Sequence, residues 1–474
     1  MIVSSKNEEI EMKELLLLSG LGIFALIAEI INARKLIYPL VLIGLFLNIG
    51  LCFHDLGSNE SIYGMLRLDN SALAFIILFS VIALIWFVMA KNYFTDETNI
   101  SDHFSLVLFS LVGVFILSSY THLAMLFLGV EILSIPVYVL AGSDKRNVYS
   151  NEAAFKYFLL GAFASGFLLL GIVFVYGGVG NFYITQIAAT SMLPFGLSES
   201  LLAAGFVLIL FAFAFKMSAV PFHFWAPDVY TGAPTSITAY MSTIVKIGAI
   251  AGFYRLYIGV IALYGNYDFF NSYIFIFLII AILTIIIGNV IAATQSNVKR
   301  LLAYSSIGHA GFIILGIAMK SPSVNFTTWY YLLAYCLANL LTFWVLLVVS
   351  SKDNAEDISV FNGLVKRNPI LAGSMALGLL SMAGIPPLGG FFAKYFVLMD
   401  VIGRGYLLIA VIAILASLIG VYYYFRIIIA MFSKNAIHST TIEIGSFTKL
   451  LLLLVSILLL VIGIAPDFVF NLIF

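Results

Sequence analysis

Fourteen apolar segments follow one another along this chain, and each is long enough to cross a lipid bilayer. A membrane-spanning helix needs about 20 mostly apolar residues. Of the 474 residues, 62% are hydrophobic and only 10% are charged, whereas an average soluble domain is about 25% charged. The sequence therefore predicts an all-α polytopic membrane protein. The predicted spans, numbered 1 to 14, are 12–32, 36–53, 71–90, 103–119, 121–140, 153–176, 200–231, 234–258, 272–292, 300–319, 326–350, 370–402, 405–431 and 447–472.

The basic residues predict how these spans are oriented, because cytoplasmic loops carry an excess of Lys and Arg. One set of loops and helix ends contains Arg34, Lys35, Lys91, Lys145, Arg146, Lys299, Arg300, Lys352, Lys366, Arg367, Arg426, Lys434 and Lys449. The opposite set contains only Lys6, Lys13, Arg67, Arg255, Lys320 and Arg404. The richer set is predicted to be cytoplasmic, which places both termini on the periplasmic side.

Spans 7 and 12 are too long for one straight helix, and each contains proline near its middle. Span 7 reads FKMSAVPFHFWAP around Pro221, and span 12 reads LSMAGIPPLGGFFAKYF with Pro386, Pro387, Gly389 and Gly390. Proline removes a helical hydrogen bond. In lipid the freed backbone groups must be satisfied by protein or by a water-filled cavity. Both spans are therefore predicted to be broken helices.

A weak internal match relates the two halves of the chain. Met217, Ala219 and Pro221 align with Met382, Gly384 and Pro386, and residues 166–172 align with 311–317. The matches predict two five-helix repeats, spans 4–8 and spans 9–13. Because five is odd, the copies would be inverted, which is typical of ion-coupled transporters. The predicted units are 1–102 (three N-terminal helices), 103–258 (first repeat), 259–431 (second repeat) and 432–474 (a C-terminal helix).

Four ionisable residues lie deep within predicted spans. They are Glu131 in span 5, Lys216 in span 7, Lys246 in span 8 and Lys394 in span 12. A charge at the centre of a membrane helix costs about 2.5–3.5 kcal/mol even on insertion scales, so we predict that these residues serve transport. If Glu131 lay about 4 Å from Lys216, their attraction would be about 4 kcal/mol at an effective dielectric of about 20. Movement of Glu131 could then switch Lys216 between holding and releasing a proton.

Three further residues are candidates for a proton relay. Lys156 lies near the end of span 6, where snorkelling to the interface or a structural ion pair is a strong alternative. His223 lies in the break of span 7 and His309 in span 10. A neutral imidazole can relay protons, and a purely structural histidine is the alternative for each. Asp228 is expected to cap a helix or to fix its loop.

The chain contains no sequence motif typical of a cofactor or metal site. It lacks GxxxxGK[ST], GxGxxG, HExxH and CxxC, and its two cysteines, Cys52 and Cys336, are far apart. These motifs mark nucleotide, metal and redox sites. The net charge is zero, so no basic face indicates nucleic acid. We expect no cofactor or metal on this chain, and energy supplied by an ion gradient or by partner subunits.

Two motifs carry a resemblance to a known family. The stretch FKMSAVPFHFWAPDVYTGAPTSITAYMSTIVKIGAI resembles the signature of the antiporter-like membrane subunits of respiratory complex I, and most closely their subunit N branch. MAGIPPLGGFFAKYF is similar to span 12 of that branch. The resemblance extends from about span 2 to span 14. It implies that Glu131, Lys216, Lys246 and Lys394 are proton-channel residues and that Lys156 matches the family's lysine of span 6.

The resemblance also implies a function and a set of partners. The function would be that of a proton-translocating subunit of NADH:quinone oxidoreductase, a translocase, with no redox chemistry on this chain itself. The partners would be neighbouring membrane subunits and a peripheral arm with NADH, FMN and iron–sulfur clusters, with quinone bound at a distant junction. The membrane would be a bacterial inner membrane. The alternatives are a subunit of a multi-subunit cation/proton antiporter and a passive membrane anchor.

Overall fold

A computed structural model describes residues 12–91, 100–190, 197–262, 268–353, 355–433, 435 and 441–473. Lys6 and Lys434, which contribute to the predicted orientation, lie outside these residues. Within them, eleven helices are long and apolar enough to cross a membrane, and two shorter apolar helices belong to the broken spans. With the 15-residue helix of span 1, they match all fourteen predicted spans. The all-α polytopic fold is therefore confirmed.

Twelve of the spans are helices without a long break. They are Lys13–Ile27, Arg34–His54, Asn70–Met89, Ile100–Ser119, Leu123–Ala141 and Val148–Val179 for spans 1 to 6, Thr235–Val260 and Asp268–Thr294 for spans 8 and 9, Val298–Ala318 and Val324–Asp353 for spans 10 and 11, Leu407–Ser433 for span 13 and Ser446–Ile464 for span 14. Shorter helices are Ile184–Thr190, Leu364–Arg367 and Pro466–Ile473, with a 3-10 turn at Ile358–Phe361.

The two predicted breaks are present. Span 7 consists of Leu197–Lys216 and Trp225–Gly232, and span 12 of Pro369–Ala383 and Gly389–Gly403. In the first break the backbone N–H of Val220 donates to the Thr284 hydroxyl of span 9 at 2.9 Å. In the second, the N–H of Gly390 donates to the Ser381 hydroxyl at 3.1 Å. Side chains thus satisfy backbone groups that an unbroken helix would pair internally.

Span 8 is not a uniform α-helix. The residues Met241–Val245 form a π-helical turn, and the α-helix resumes at Lys246. Such turns arise where one additional residue is accommodated within a helix, and they are frequent at functional sites. The turn therefore determines the direction in which the Lys246 side chain leaves span 8.

Five spans form the centre of the molecule, namely 3, 4, 8, 10 and 11, and most of each is buried. Two tryptophans join them. The indole N–H of Trp86 in span 3 donates to the carbonyl oxygen of Ser236 in span 8 at 2.7 Å, and that of Trp329 in span 11 donates to Ala74 at 2.7 Å. Spans 2, 6, 13 and 14 are peripheral and expose apolar side chains such as Phe163 and Leu408. An apolar exterior around a packed centre is what a bilayer requires.

A short β-hairpin, absent from the sequence prediction, lies at one end of the bundle. Its strands are β1 (Glu60–Ile62) and β2 (Leu66–Leu68), and they pair in antiparallel fashion. Beside it, the Arg255 guanidinium binds both carboxylate oxygens of Asp69, at 3.1 and 2.9 Å. Arg255 also donates to the carbonyl oxygen of Ser118 at 3.2 Å. This group ties the hairpin to spans 3, 4 and 8.

Candidate functional site

The amine of Lys216 points toward span 5. Lys216 is the last residue of the half-helix Leu197–Lys216, and its side chain is buried. Its Nζ donates to the hydroxyl of Ser134 at 2.7 Å and to that of Tyr138 at 2.9 Å. The Tyr138 ring centroid also lies 5.2 Å from this amine. The lysine is therefore held by neutral oxygen atoms and by an aromatic face.

Glu131 lies on the same helix, one turn before Ser134, but it does not contact Lys216. Within the residues that the structure describes, Glu131 forms no ion pair, and its buried Oε1 has no hydrogen-bond partner. The hypothesis of a direct Glu131–Lys216 pair thus does not describe this conformation. An ion pair between the two would require the Lys216 amine, the Glu131 side chain or both to move.

The amine of Lys246 is fully enclosed between spans 8, 10 and 11. Its Nζ donates to the backbone carbonyl of Ser306 at 2.6 Å and also to the Ser306 hydroxyl. The Tyr335 hydroxyl donates to the same Ser306 oxygen at 2.9 Å, and the Tyr335 ring centroid lies 5.6 Å from the amine. Asn339 donates to the Tyr335 hydroxyl at 2.8 Å. A chain of hydrogen bonds therefore extends from Lys246 into span 11.

His309 continues this polar row toward span 12. Its ring centroid lies 4.9 Å from that of Tyr335. Its Nδ1 is hydrogen-bonded to the Tyr331 hydroxyl at 2.9 Å and its Nε2 to the Tyr424 hydroxyl at 3.2 Å. The Tyr424 hydroxyl in turn contacts that of Ser305. Both ring nitrogens of this buried histidine have hydroxyl partners, so the ring can accept a proton at one and release one at the other.

Lys394 lies directly after the break of span 12. Its Nζ donates to the carbonyl oxygen of Ala383, the last residue of the preceding half-helix, at 2.9 Å. The ring centroid of Phe312 lies 5.6 Å from the amine. A cavity of about 10 Å³ is lined by His309, Ser381 and Ala393, which is close to the space that one water needs. The cavity thus lies between His309 and Ala393, the residue that precedes Lys394.

The predicted break residues have distinct surroundings. The segment with Pro221 is followed by Trp225, whose indole N–H donates to the carbonyl oxygen of Phe215 at 3.0 Å. Peptide bonds 220–221 and 386–387 are cis. Pro387 packs against span 14, because a β-carbon at Gly463 would overlap its carbonyl oxygen. Gly389 packs against Ile462 and Gly390 against Ser381.

Lys156 lies away from the buried lysines, in a network of charges at one end of the bundle. Its Nζ contacts Glu152 at 2.7 Å and Asp228 at 2.9 Å, and Arg300 contacts Asp228 at 3.1 Å. The Lys156 side chain is 38% exposed, so it is accessible to solvent. Asp228 belongs to the helix Trp225–Gly232 and bridges two cations, rather than acting only as a loop cap.

The sequence predicts that Lys299 lies at a helix end, and the structure shows that its side chain is buried. It is 3% exposed, and its Nζ donates to the carbonyl oxygen of Ala233 at 2.6 Å and contacts Glu356 at 3.3 Å. Lys299, Glu356, Lys156, Asp228 and Arg300 line one open cavity of about 610 Å³. No signal in the sequence separated Lys299 from its half-buried neighbour Arg300.

His223 lies in the span 7 break, and it remains apart from the lysines. It is half-buried, and its Nδ1 has no hydrogen-bond partner among the described residues. The hydroxyls of Ser134, Tyr138, Ser306 and Tyr335 were not predicted as site residues. Serine and tyrosine are common in membrane helices, so only contact with the lysines distinguishes these four.

At the end of the bundle where span 5 begins, His122 caps the helix that carries Glu131. Its Nδ1 accepts a hydrogen bond from the backbone N–H of Ala124 at 3.2 Å. Burial lowers the pKa of His122 below its ordinary value of 6.5. The neutral imidazole is thereby favoured, which keeps Nδ1 available as an acceptor.

Comparison with known proteins agrees with this architecture. Residues 119–420 match a family described as NADH:quinone oxidoreductase/Mrp antiporter, transmembrane. The chain is 43% identical over 458 residues to the NADH-quinone oxidoreductase subunit N of Cytophaga hutchinsonii, covering 96% of this chain and 98% of that protein. It is 39% identical to the subunit N of Flavobacterium psychrophilum, covering 97% and 100%.

Solved structures show the same fold. A chain of respiratory complex I from Thermus thermophilus with bound aureothin superimposes with a TM-score of 0.82 at 28% identity, covering 96% of this chain and 97% of that chain. A chain of the membrane-bound sulfane sulfur reductase, an archaeal respiratory membrane complex, gives 0.86 at 26% identity, covering 97% and 95%. The protein described here therefore belongs to the NADH:quinone oxidoreductase/Mrp antiporter family of polytopic membrane proteins.

Proposed function

We propose that this chain is a proton-translocating membrane-arm subunit of an NADH:quinone oxidoreductase in a bacterial inner membrane. One observation carries the proposal. Lys216, Lys246 and Lys394 each direct an amine to neutral oxygen atoms inside the bundle. A charge in such surroundings costs several kcal/mol, so a packing role does not account for three of them. The identity of 37–43% to several relatives named subunit N supports this function over a cation/proton antiporter.

In the proposed mechanism the lysines exchange protons along the row of hydroxyls. Lys216 retains a proton while its amine lies near Glu131 and releases it while the amine is bound by Ser134 and Tyr138. Lys246 passes a proton through Ser306 and Tyr335, whose hydroxyls can both donate and accept. His309 would connect this pair to Lys394 by way of the small cavity, which reaches Ala393, the residue before Lys394. Glu131 supplies the negative charge that attracts the Lys216 amine when the lysine must retain its proton.

The remaining assignments belong to the same proposal. Lys156 and His223 are candidate relays at the end where Asp228 lies, which we assign to the cytoplasm from the distribution of basic residues. Both termini are then periplasmic. We further propose the division into 1–102, 103–258, 259–431 and 432–474, with inverted repeats in the second and third units.

The redox chemistry would belong to other subunits. NADH, FMN, iron–sulfur clusters and quinone would bind to the peripheral arm and to its junction with the membrane, and neighbouring membrane subunits would flank this chain. Electron transfer there would supply the energy that moves Glu131 and Lys216. This chain's own residues bind, orient and move protons only.

The proposal is tested with the assembled complex in inverted membrane vesicles. We expect Lys216→Ala and Glu131→Ala to reduce NADH-driven proton pumping several-fold while the complex still assembles. Quinone reduction would fall in parallel, because the two processes are coupled. Gly166→Ala, at an exposed position of span 6 with no neighbouring atom within 4 Å, is the matched control. Proton pumping at the wild-type rate in an assembled Lys216→Ala complex would show that the channel assignment is wrong.

A further inference from the structure

Span 5 holds the Lys216 amine through hydroxyls, although the same helix carries a carboxylate. We propose that Tyr138 is a positioning residue of the proton path: its hydroxyl holds the Lys216 amine away from Glu131, and the aromatic rings behind it tie this position to the half-helix Trp225–Gly232. The inference rests on the proposed function of Glu131 and Lys216. It adds to that function the group that competes with Glu131 for the lysine.

The spacing of three residues on span 5 shows how Tyr138 and Glu131 can compete for the Lys216 amine. Glu131, Ser134 and Tyr138 are separated by three and four residues, so they lie on one face of the helix. Seven residues correspond to about 10 Å along a helix axis. Lys216 contacts the second and third of these side chains, at 2.7 and 2.9 Å. The amine is therefore displaced toward the Tyr138 end, and Glu131 keeps an unpartnered buried oxygen among the described residues.

Aromatic contacts fix the Tyr138 ring against span 7. Tyr138 meets Tyr157 edge to face at a centroid distance of 4.7 Å, and Tyr157 stacks on Trp225 at 4.5 Å with planes 8° apart. Trp225 donates to the carbonyl oxygen of Phe215, the residue before Lys216. A continuous series of contacts therefore leads from the Lys216 amine through Tyr138, Tyr157 and Trp225 back to the residue before Lys216. Asp228 lies on the same half-helix as Trp225, and it forms ion pairs with Lys156 and Arg300.

Gly161 of span 6 provides the space that the Tyr138 hydroxyl occupies. A β-carbon at Gly161 would overlap that hydroxyl and would lie 2.5 Å from the Tyr138 Cζ. Alanine at this position would therefore push the ring away from Lys216. Gly166 is on the same helix, exposed, and has no atom within 4 Å of an added β-carbon. The two glycines form a matched pair for substitution.

Removal of the Tyr138 hydroxyl shifts the lysine toward Glu131. A hydrogen bond to a charged group is strong enough to change an equilibrium by about tenfold or more. A lysine paired with a carboxylate needs a higher pH to release its proton. We therefore expect Tyr138→Phe to slow proton pumping by up to about tenfold at neutral pH and to displace the pH profile of pumping toward alkaline pH.

The experiment measures NADH-driven proton pumping from pH 6 to pH 9 in the assembled complex. The variants are Tyr138→Phe, Gly161→Ala, Gly166→Ala, Glu131→Gln and the double variant Tyr138→Phe with Glu131→Gln. We expect an alkaline displacement in Tyr138→Phe and Gly161→Ala and a wild-type profile in Gly166→Ala. In the Glu131→Gln background, Tyr138→Phe should have no further effect, because the competing carboxylate is absent.

Two results would overturn the inference. One is a wild-type rate and pH profile in Tyr138→Phe, and the other is an equal loss with and without the Glu131 carboxylate. If the Gly161→Ala complex does not assemble, the Tyr138→Phe single and double variants alone test the inference. Lys216→Ala distinguishes a failure of the proposed proton path from a failure of the Tyr138 role. If it pumps normally, the proposed function has failed, whereas impaired Lys216→Ala with unaffected Tyr138→Phe rejects only the role of Tyr138.

Discussion

The amine of Lys394 lies 2.9 Å from the carbonyl oxygen of Ala383, where the first half-helix of span 12 ends. A cation at the carboxyl end of a helix interacts favourably with the helix dipole. Lys394 therefore combines two roles that can be separated experimentally. One is to bind a freed backbone carbonyl, and the other is to exchange a proton.

Substitution of Lys394 by arginine or methionine separates these roles. Arginine keeps the charge and the donors but does not release a proton in a protein, so Lys394→Arg should retain stability and lose pumping. Lys394→Met removes the donor as well, and we expect a further loss of about 1–3 kcal/mol of stability. Thermal unfolding in detergent and vesicle pumping measure the two effects. Normal pumping by Lys394→Arg would contradict the exchange role.

Gly390 is predicted to be the glycine of span 12 that tolerates substitution least. A β-carbon there would overlap the backbone carbonyl of Ser381, whereas one at Gly373 meets no atom within 4 Å. We expect Gly390→Ala to destabilise the protein by about 1–3 kcal/mol through overpacking, and Gly373→Ala to be nearly neutral. Melting temperatures of the two variants provide the comparison. Equal melting temperatures would show that the break can relax around an added methyl group.

Asp69 is predicted to stabilise the bundle through two separable contacts. It binds Arg255 through both oxygens, and its Oδ1 also accepts from the N–H of Ala72 at the start of span 3. Asp69→Asn can keep the cap but loses the charge opposite a largely buried arginine, with an expected cost of about 1–3 kcal/mol. Asp69→Ala should cost about 1 kcal/mol more through loss of the cap. Unfolding experiments that rank the two variants equally would exclude a capping contribution.

His122 is predicted to make the stability of the fold sensitive to acid. Burial lowers its pKa in the folded state below 6.5, so the unfolded chain binds more protons there and acid favours unfolding. The contribution is present above about pH 6.5 and is lost as the pH falls toward the folded-state pKa. His122→Asn keeps an N-cap acceptor and should flatten this dependence between pH 7.5 and 5.5 in thermal unfolding. An unchanged slope would assign the acid sensitivity to other groups.

The positions of the spans and breaks could be predicted from the sequence because each depends on local composition. Apolar runs such as 71–90 need only length, and Pro221 and Pro386 interrupt helices wherever they occur. The burial of Lys246 was predictable for the same reason, since it lies mid-run. The family and the function were predictable from two motifs around these same residues.

Other features depend on how helices rotate against one another, which local composition does not determine. Glu131 was the hypothetical partner of Lys216, and the structure shows Ser134 and Tyr138, on the same face of span 5, in contact with the lysine. Lys299 is buried because the loop with Glu356 folds over it. Neither outcome has a periodicity or a motif of its own.

The π-helical turn Met241–Val245 has a consequence for how this part of the protein tolerates change. One residue of an α-helix corresponds to a rotation of about 100°, so the extra residue turns Lys246 and everything after it by that angle relative to the start of span 8. A single-residue deletion here would restore a regular α-helix around Lys246, although a second π-helical turn follows at Tyr257–Ala262, and would direct the amine away from Ser306. The contact between Lys246 and Ser306 therefore depends on the number of residues in this segment as well as on the lysine itself.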